Sequence, residues 1–227
     1  MKLALDLDDT LYNEYDFVLS GYAEVAKFYS DHFRINNNDI FDFMITWHEE
    51  CGREGILEST FEYFAQDKSD RKITQEALLL YRNHKPKLEL YPEARGILEK
   101  FWKSRLTLIT DGNPIVQENK IKALGIGQFF HRVYTTWSYG IDKSKPSIYC
   151  FKLACDSLGK SLSEMVYVGD DPRKDFLALN RAGGITVRVK TGKYKDLNLP
   201  GHLEATYIID SIDMLPGLLH TKNIVID

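Results

Sequence analysis

Two aspartates near the start of the chain have the spacing of a catalytic or metal-binding carboxylate pair. Asp6 and Asp8 directly follow the apolar residues 3–5, in the pattern Asp-x-Asp-x-Thr that ends at Thr10. The apolar run predicts a buried strand, and open α/β sheets bind ligands at the carboxyl ends of their strands. Two carboxylates about 4 Å apart repel each other by roughly 4 kcal/mol at an effective dielectric of about 20. The pair therefore indicates a site for a divalent metal ion.

Three later segments also place polar or charged side chains where an apolar strand ends or a helix begins. Residues 108–113 run from apolar residues into a hydroxyl, an acid and a glycine. Lysines precede Pro146, and residues 166–175 run from an apolar stretch into several acids. The candidate residues of these segments are Thr110, Asp111 and Asn113, then Lys143 and Lys145, and finally Asp170, Asp171 and Asp175.

In their order and spacing, the four segments resemble the motifs of the haloacid dehalogenase (HAD) superfamily of hydrolases. The resemblance is to the phosphatase branch, with a helical cap inserted after the first motif, and it covers essentially the whole chain. Four motifs in this order are far more specific than Asp-x-Asp-x-Thr alone, which by itself often begins a turn. The resemblance implies an α/β fold and an enzyme that transfers phosphoryl groups.

The resemblance implies a role for each residue of the first two motifs. Asp6 would attack phosphorus and form an aspartyl-phosphate, while Asp8 would protonate the leaving oxygen and later activate water. The hydroxyl of Thr110 and the main-chain N–H of Asp111 would bind phosphate oxygens. Asn113 has two interpretations, a contact to the substrate or an N-cap for the helix that begins at Pro114.

The third motif implies one lysine that neutralises the nucleophile and the transferring phosphoryl group. Lys145 is preferred because the family places this lysine directly before a proline, and Pro146 keeps the preceding residue out of the helix. Lys143 remains the alternative.

The resemblance also implies a magnesium site. Its ligands would be a carboxylate oxygen of Asp6, the main-chain carbonyl of Asp8 and the side chain of Asp170; ligation by oxygen alone is typical of Mg²⁺ and not of zinc. Asp175 would hold a metal-bound water or orient Lys145. Asp171 competes with Asp175 for these tasks, and both acids could instead stabilise the first turn of a helix.

Among the reactions of the superfamily, phosphate ester hydrolysis fits these residues best. A dehalogenase needs no acid to protonate a leaving alkoxide, so Asp8 disfavours that branch. The expected substrate is a small phosphorylated metabolite, which the sequence does not identify. A sugar-phosphate mutase of the same fold and a regulatory member without turnover are the alternatives.

The elements that must position these residues alternate between strands and helices after residue 90. This alternation predicts a Rossmann-like parallel sheet with crossover helices. Residues 13–90 show helical apolar spacing instead, so we expect an α/β core of residues 1–12 and 91–227 with an all-helical cap of residues 13–90 over the active end of the sheet. The predicted strands are Lys2–Leu7, Arg105–Thr110, Val133–Thr136, Met165–Gly169, Ile185–Val189 and Thr206–Ile209. The predicted helices are 15–32, 38–51, 59–67, 74–84, Glu93–Lys103, Pro114–Leu124, Pro146–Leu158, Arg173–Ala182 and Ile212–Leu219.

Bulk composition excludes several other classes of protein. The chain has 227 residues and a net charge of −4, with a pI near 5.9, so it has no basic field for binding nucleic acid. No stretch is long and apolar enough to predict a membrane span or a signal peptide. The three cysteines form no CxxC pair, which disfavours a disulfide framework and a zinc site. We therefore expect a cytoplasmic protein, of undetermined oligomeric state.

Overall fold

The computed structural model describes residues 1–227, and the chain forms two compact units. One, the sheet unit, comprises Met1–Glu14 and Leu88–Asp227; the other, the helical unit, comprises Tyr15–Lys87. All six strands of the sheet unit are parallel, in the order β3-β2-β1-β4-β5-β6, which confirms the predicted α/β fold class. The strands are β1 Lys2–Leu5, β2 Leu106–Thr110, β3 Phe130–Thr135, β4 Met165–Gly169, β5 Ile185–Val189 and β6 Tyr207–Ile209.

The central strands are apolar because both faces of the sheet are covered. Every residue of β2 and β4 is buried, as expected for the middle of a parallel sheet. Leu5 lies in register with Leu108 and Val168 on the neighbouring strands, so β1, β2 and β4 end at the same edge. The first, second and fourth motifs are thereby brought to one edge of the sheet.

Helices of the sheet unit follow the strands as crossovers. Pro114 begins a helix as predicted, and Pro92 begins the helix that was predicted from Glu93; a missing N–H is harmless at both positions. Gly125 ends the second of these with a φ of 65°, a conformation that glycine adopts without strain. The helices of this unit are α5 Pro92–Phe101, α6 Pro114–Leu124, α7 Tyr149–Ser157, α8 Leu177–Arg181 and α9 Leu215–Thr221.

Three predicted helices begin later than expected: the one predicted from Ile212 begins at Leu215, and the other two late starts lie in the third and fourth motifs. The helix predicted from Pro146 begins at Tyr149, because residues 144–147 form a turn in which the Ser147 N–H donates to the Ser144 carbonyl at 2.8 Å. The helix predicted from Arg173 begins at Leu177. The residues before it, 172–174, form a turn, in which Asp175 Oδ2 accepts the Asp171 N–H at 2.9 Å. The first strand was predicted two residues too long, since it ends at Leu5, ahead of a turn that begins at Asp9.

The helical unit contains four helices where four were predicted. Its core packs aromatic and aliphatic side chains such as Tyr29, Met44 and Phe61. Asn36 and Asp70 cap two of the helices by accepting hydrogen bonds from backbone N–H groups of the first turn. None of the helices in the protein is both long enough and apolar enough to cross a membrane. The helices are α1 Glu14–Phe33, α2 Asn37–Cys51, α3 Ile56–Ala65 and α4 Arg71–Asn83.

Candidate active site

The structure brings three of the four motifs together around a buried lysine. Lys145 Nζ lies 3.0 Å from Asp6 Oδ1 and 2.7 Å from Asp175 Oδ1, and it donates to the Tyr167 hydroxyl at 2.8 Å. All three charged side chains are at most 3% exposed. Lys143, the alternative lysine, pairs with the neighbouring Asp142 at the surface instead. Lys145 is thus the lysine that meets the first and fourth motifs.

Negative charge is crowded in this buried space. Burial raises the pKa of Asp6 to about 7, although the Lys145 ammonium group opposes the rise. Burial, followed by the charges of Asp175 and Asp6, raises the pKa of Asp170 well above its usual range. Burial alone would lower the pKa of Lys145, but Asp175 and Asp6 outweigh it and raise that pKa. The lysine therefore stays charged, and by itself it faces more carboxyl groups than it can neutralise.

The acids of this cluster fit a small divalent cation. Side-chain oxygens of Asp6, Asp170 and Asp175 lie within 4.8 Å of one another. Asp175 uses Oδ1 for Lys145 and Oδ2 to accept the Asp171 N–H at 2.9 Å. Asp6 and Asp170 are therefore the carboxylates best placed to bind a metal ion. An oxygen-only donor set of this kind suits Mg²⁺.

Asp171 and Asp175, which the sequence left as rivals, have different partners. Asp171 forms a two-pronged pair with Arg173, with Nε and Nη2 at 2.9 and 2.7 Å from its oxygens. The Arg173 guanidinium also stacks on Tyr194 at 3.6 Å. Asp175 instead faces Lys145, and its bond to the Asp171 N–H holds the turn before α8. Asp175 is thus the acid that contacts the buried lysine.

The second motif supports both the lysine and the loop after the strand. Asp111 Oδ1 accepts hydrogen bonds from the Thr136 hydroxyl at 2.8 Å and from the Lys145 main-chain N–H at 3.0 Å. Burial favours a raised pKa for Asp111, but Lys145 and Lys174 outweigh it and lower that pKa. Asn113 accepts the Ile115 N–H at 3.0 Å, which is the N-cap interpretation. The side chain of Asp111 therefore holds the backbone at Lys145 in place, a role that sequence reasoning missed.

Lys174 is a second cation near the acids that the sequence analysis did not single out. Its Nζ lies 3.5 Å from Asp111 Oδ2. Burial and the neighbouring Lys145 act to lower the pKa of Lys174, but the charges of Asp175, Asp6 and Asp111 raise it overall. The only sequence signal was its position between two acids of the fourth motif.

Asp8 has different neighbours from Asp6. Its Oδ1 accepts hydrogen bonds from the Tyr12 hydroxyl at 2.6 Å and from Lys120 Nζ at 2.7 Å. Its Oδ2 accepts one from Gln117 Nε2 at 3.0 Å. The same amide nitrogen lies 2.6 Å from the hydroxyl oxygen of Thr110, which is fully buried.

Gln117 and Lys120 were missed by sequence reasoning, although a signal was present. On α6 they lie with Val116 and Leu124 on the buried side of the helix. A lysine at a position that helical spacing places on an apolar stripe is rarely buried without a charged partner. That position could have suggested a buried acid nearby.

Comparisons with known proteins agree with the resemblance stated from the motifs. Residues 3–183 match the family model described as haloacid dehalogenase-like hydrolase. The chain is 32% identical over 222 residues to the glyceraldehyde 3-phosphate phosphatase of Methanocaldococcus jannaschii, covering 96% of both chains. It is 31% identical to the enzyme of the same name from Pyrococcus furiosus, covering 96% of this chain and 92% of the other. A solved 2-haloacid dehalogenase from Pseudomonas syringae has the same fold, with a TM-score of 0.68, 20% identity and coverage of 98% and 99%.

Proposed function

Because the chain belongs to the haloacid dehalogenase-like hydrolases, we propose that it is a magnesium-dependent phosphatase acting on a small phosphate monoester through a phosphorylated Asp6. The observation that supports this most is the buried ammonium group of Lys145 between Asp6 and Asp175, with Asp170 in the same cluster. A buried ion cluster is a poor source of stability but an effective means of stabilising charge that develops during a reaction.

In the first proposed step, Asp6 attacks the phosphorus atom of the monoester. A bond forms between an Asp6 oxygen and phosphorus, and the bond from phosphorus to the leaving oxygen breaks. The Asp8 carboxyl group gives its proton to that oxygen, which leaves as an alcohol. Lys145 and the hydroxyl of Thr110 would stabilise the transferring phosphoryl group.

In the second proposed step, water attacks the phosphorus of the phosphorylated Asp6. Asp8, now ionised, accepts a proton from that water, and the bond between phosphorus and Asp6 breaks. Inorganic phosphate leaves, Asp6 returns to a carboxylate, and Asp8 again carries a proton. The sum of the steps is hydrolysis of one phosphate ester by one water molecule.

A magnesium ion held by Asp6 and Asp170, with the Asp8 main-chain carbonyl as the predicted third protein ligand, would offset the charge of the acids and of the substrate phosphate. This role explains why three carboxyl groups are buried beside one lysine. Asp175 then serves to orient Lys145, because its own oxygens already have partners.

For the substrate, a three-carbon sugar phosphate is the first candidate. Two relatives with 31–32% identity over most of their length are named for glyceraldehyde 3-phosphate. A substrate panel would begin with this compound and include phosphoserine and N-acylneuraminate 9-phosphate, for which more weakly matching relatives are named. Measuring inorganic phosphate separates a phosphatase from a sugar-phosphate mutase, which keeps phosphorus on the sugar.

The first experiment measures phosphate release from 4-nitrophenyl phosphate and from the panel, with Mg²⁺ and with a chelator. We expect phosphate release when Mg²⁺ is present and none when it is chelated. Asp6→Asn should lower the activity by about 10⁴-fold or more, because no other group replaces the nucleophile. Asp31→Asn, at an exposed position of the helical unit, is the matched control and should retain activity.

A second experiment looks for the phosphorylated enzyme itself. After rapid acid quenching, mass spectrometry should find one added phosphoryl group on the peptide that contains Asp6. Folded wild-type protein that hydrolyses no member of the panel would contradict the proposed function and favour a regulatory member. Activity that survives both chelation and Asp6→Asn would contradict the mechanism.

A further inference from the structure

Three hydrogen-bond donors converge on the carboxyl group of Asp8. The Tyr12 hydroxyl and Lys120 Nζ both reach Oδ1, at 2.6 and 2.7 Å. Gln117 Nε2 reaches Oδ2 at 3.0 Å. These donors come from the loop after β1 and from α6, so two separate parts of the sheet unit hold one carboxyl group.

All three donor residues are buried, whereas Asp8 is partly exposed. Tyr12, Gln117 and Lys120 are 0, 1 and 3% exposed, and the Asp8 side chain is 18% exposed. Burying an ammonium group is costly unless an acid pairs with it. Lys120 Nζ lies 2.7 Å from Asp8 Oδ1 and 3.7 Å from Glu14 Oε1. The fold thus maintains a buried cation that is directed at Asp8.

The two carboxylate oxygens of Asp8 accept different numbers of hydrogen bonds. Oδ1 accepts two donors, one of them charged, while Oδ2 accepts a single amide. Oδ2 therefore accepts fewer and weaker hydrogen bonds than Oδ1, and it has the freer lone pair for a further partner. We propose that Lys120, Gln117 and Tyr12 are positioning residues that hold Asp8 in one orientation, in which Oδ2 transfers the proton. This inference rests on the proposed function.

Gln117 also connects Asp8 to the phosphate-binding hydroxyl. The Gln117 amide nitrogen donates to Asp8 Oδ2 at 3.0 Å, and the same nitrogen is 2.6 Å from Thr110 Oγ1. Thr110 then accepts from the amide, which leaves its own hydroxyl hydrogen to donate to a phosphate oxygen. One side chain therefore orients both groups.

Gly112 makes room for this arrangement. Its φ is +131°, and a Cβ at this position would lie 3.3 Å from the Gln117 carboxamide. A side chain there would be strained in its backbone and would press on the amide. The glycine after the second motif is thus explained by the position of Gln117.

The test compares substrates with good and poor leaving groups. A poor leaving group needs the Asp8 proton during bond breaking, whereas 4-nitrophenolate needs it much less. For Lys120→Met, we expect kcat/KM on a simple alkyl phosphate to fall by about 10²-fold, but on 4-nitrophenyl phosphate by only about threefold. Across a series of aryl phosphates, the rate should depend more steeply on leaving-group pKa than in the wild type.

Lys122→Met is the matched control, because Lys122 is exposed on the same helix and pairs with Glu118. It should leave the leaving-group dependence unchanged. Tyr12→Phe removes only one hydroxyl, so it serves as the second variant if Lys120→Met fails to fold, and a smaller change in the same direction is expected.

Equal losses on all leaving groups, or no loss, in Tyr12→Phe and Lys120→Met would overturn this inference while leaving the proposed function intact. Absence of hydrolysis by the wild type would overturn the proposed function and this inference together. A larger loss in Gln117→Glu than in Gln117→Met would support it further, since a second carboxylate would repel Asp8.

Discussion

The sheet unit buries a cluster of charged side chains, whereas the core of the helical unit consists of aromatic and aliphatic side chains. Lys145 lies within 3.0 Å of both Asp6 and Asp175, in a space that excludes solvent. In the helical unit, the rings of Phe61 and Phe33 are 5.1 Å apart, edge to face, in an apolar core. Packed rings contribute directly to stability, while a buried ion cluster costs desolvation energy that its attractions only partly return. We therefore attribute the charged cluster to the proposed chemistry, and the aromatic core to the packing of four helices against one another.

This contrast predicts that the largest functional effect comes from the buried lysine. Lys145→Met should lower kcat by on the order of 10³-fold, because a cation that stabilises the transferring phosphoryl group is lost. It should also lower the free energy of unfolding by about 3–5 kcal/mol, since two buried carboxyl groups lose their partner. Phosphate release and urea unfolding measure these effects.

Lys143→Met is the matched control for that prediction. Lys143 lies two residues away and pairs with Asp142 at the surface, so we expect activity and stability near those of the wild type. Similar losses in the two variants would show that the site does not distinguish these lysines.

In the helical unit, a core substitution should affect stability rather than chemistry. Phe61 is 6% exposed, and its ring lies 6.2 Å from that of Tyr29. Phe61→Ala should lower the free energy of unfolding by about 3–5 kcal/mol. Leu79→Ala is the control: its position is 58% exposed, and it should lower the free energy of unfolding by less than about 1 kcal/mol. Urea unfolding followed by tryptophan fluorescence measures both. If Phe61→Ala lowered kcat per folded molecule as much as Lys145→Met does, the proposed difference between the two units would be wrong.

Within the fourth motif, substitutions of Asp171 and Asp175 should differ in their effect on kcat. Asp175→Asn should reduce kcat by about 10–100-fold, because the lysine loses the carboxylate that orients it. Asp171→Asn should have a smaller effect, since its main partner is Arg173. Steady-state kinetics with Mg²⁺ would compare them, and the reverse order of effects would assign the supporting role to Asp171.

The smallest effect is expected from the cysteines, which report on the two units without altering activity. Burial raises the pKa of Cys150 and Cys155 in the sheet unit to about 11, while Cys51 of the helical unit is exposed. At pH 8, iodoacetamide should modify only Cys51 in the folded protein, as mass spectrometry would show, and all three thiols in urea. Because the folded pKa lies above the unfolded one, these two thiols stabilise the fold below about pH 9 and lose that contribution as the pH rises toward 11. Rapid modification of Cys150 in the native state would mean that the sheet unit opens locally.

The fold class and family could be predicted from sequence because their signals are local and repeated. Apolar runs such as residues 166–169 predict buried strands, and prolines such as Pro92 and Pro114 predict helix starts. Both were confirmed, as was membership of the hydrolase family. The roles of the individual site residues are still predictions. Helix starts were wrong at Pro146 and Arg173, because the hydrogen bonds of Asp111 and Asp175 hold those segments in turns.

By itself, the sequence determined which residue types are available and that four motifs follow strands of one parallel sheet. These features could be determined because the spacing of apolar residues along a strand or helix involves only residues that are close in the sequence. Only the tertiary structure decided that Lys145 rather than Lys143 meets Asp6, and that Gln117 and Lys120 hold Asp8. These pairs are separated by more than a hundred residues, and which charges meet depends on how β1, β2 and α6 pack. Contacts of that kind have no local pattern, so they become visible only when the sheet is assembled.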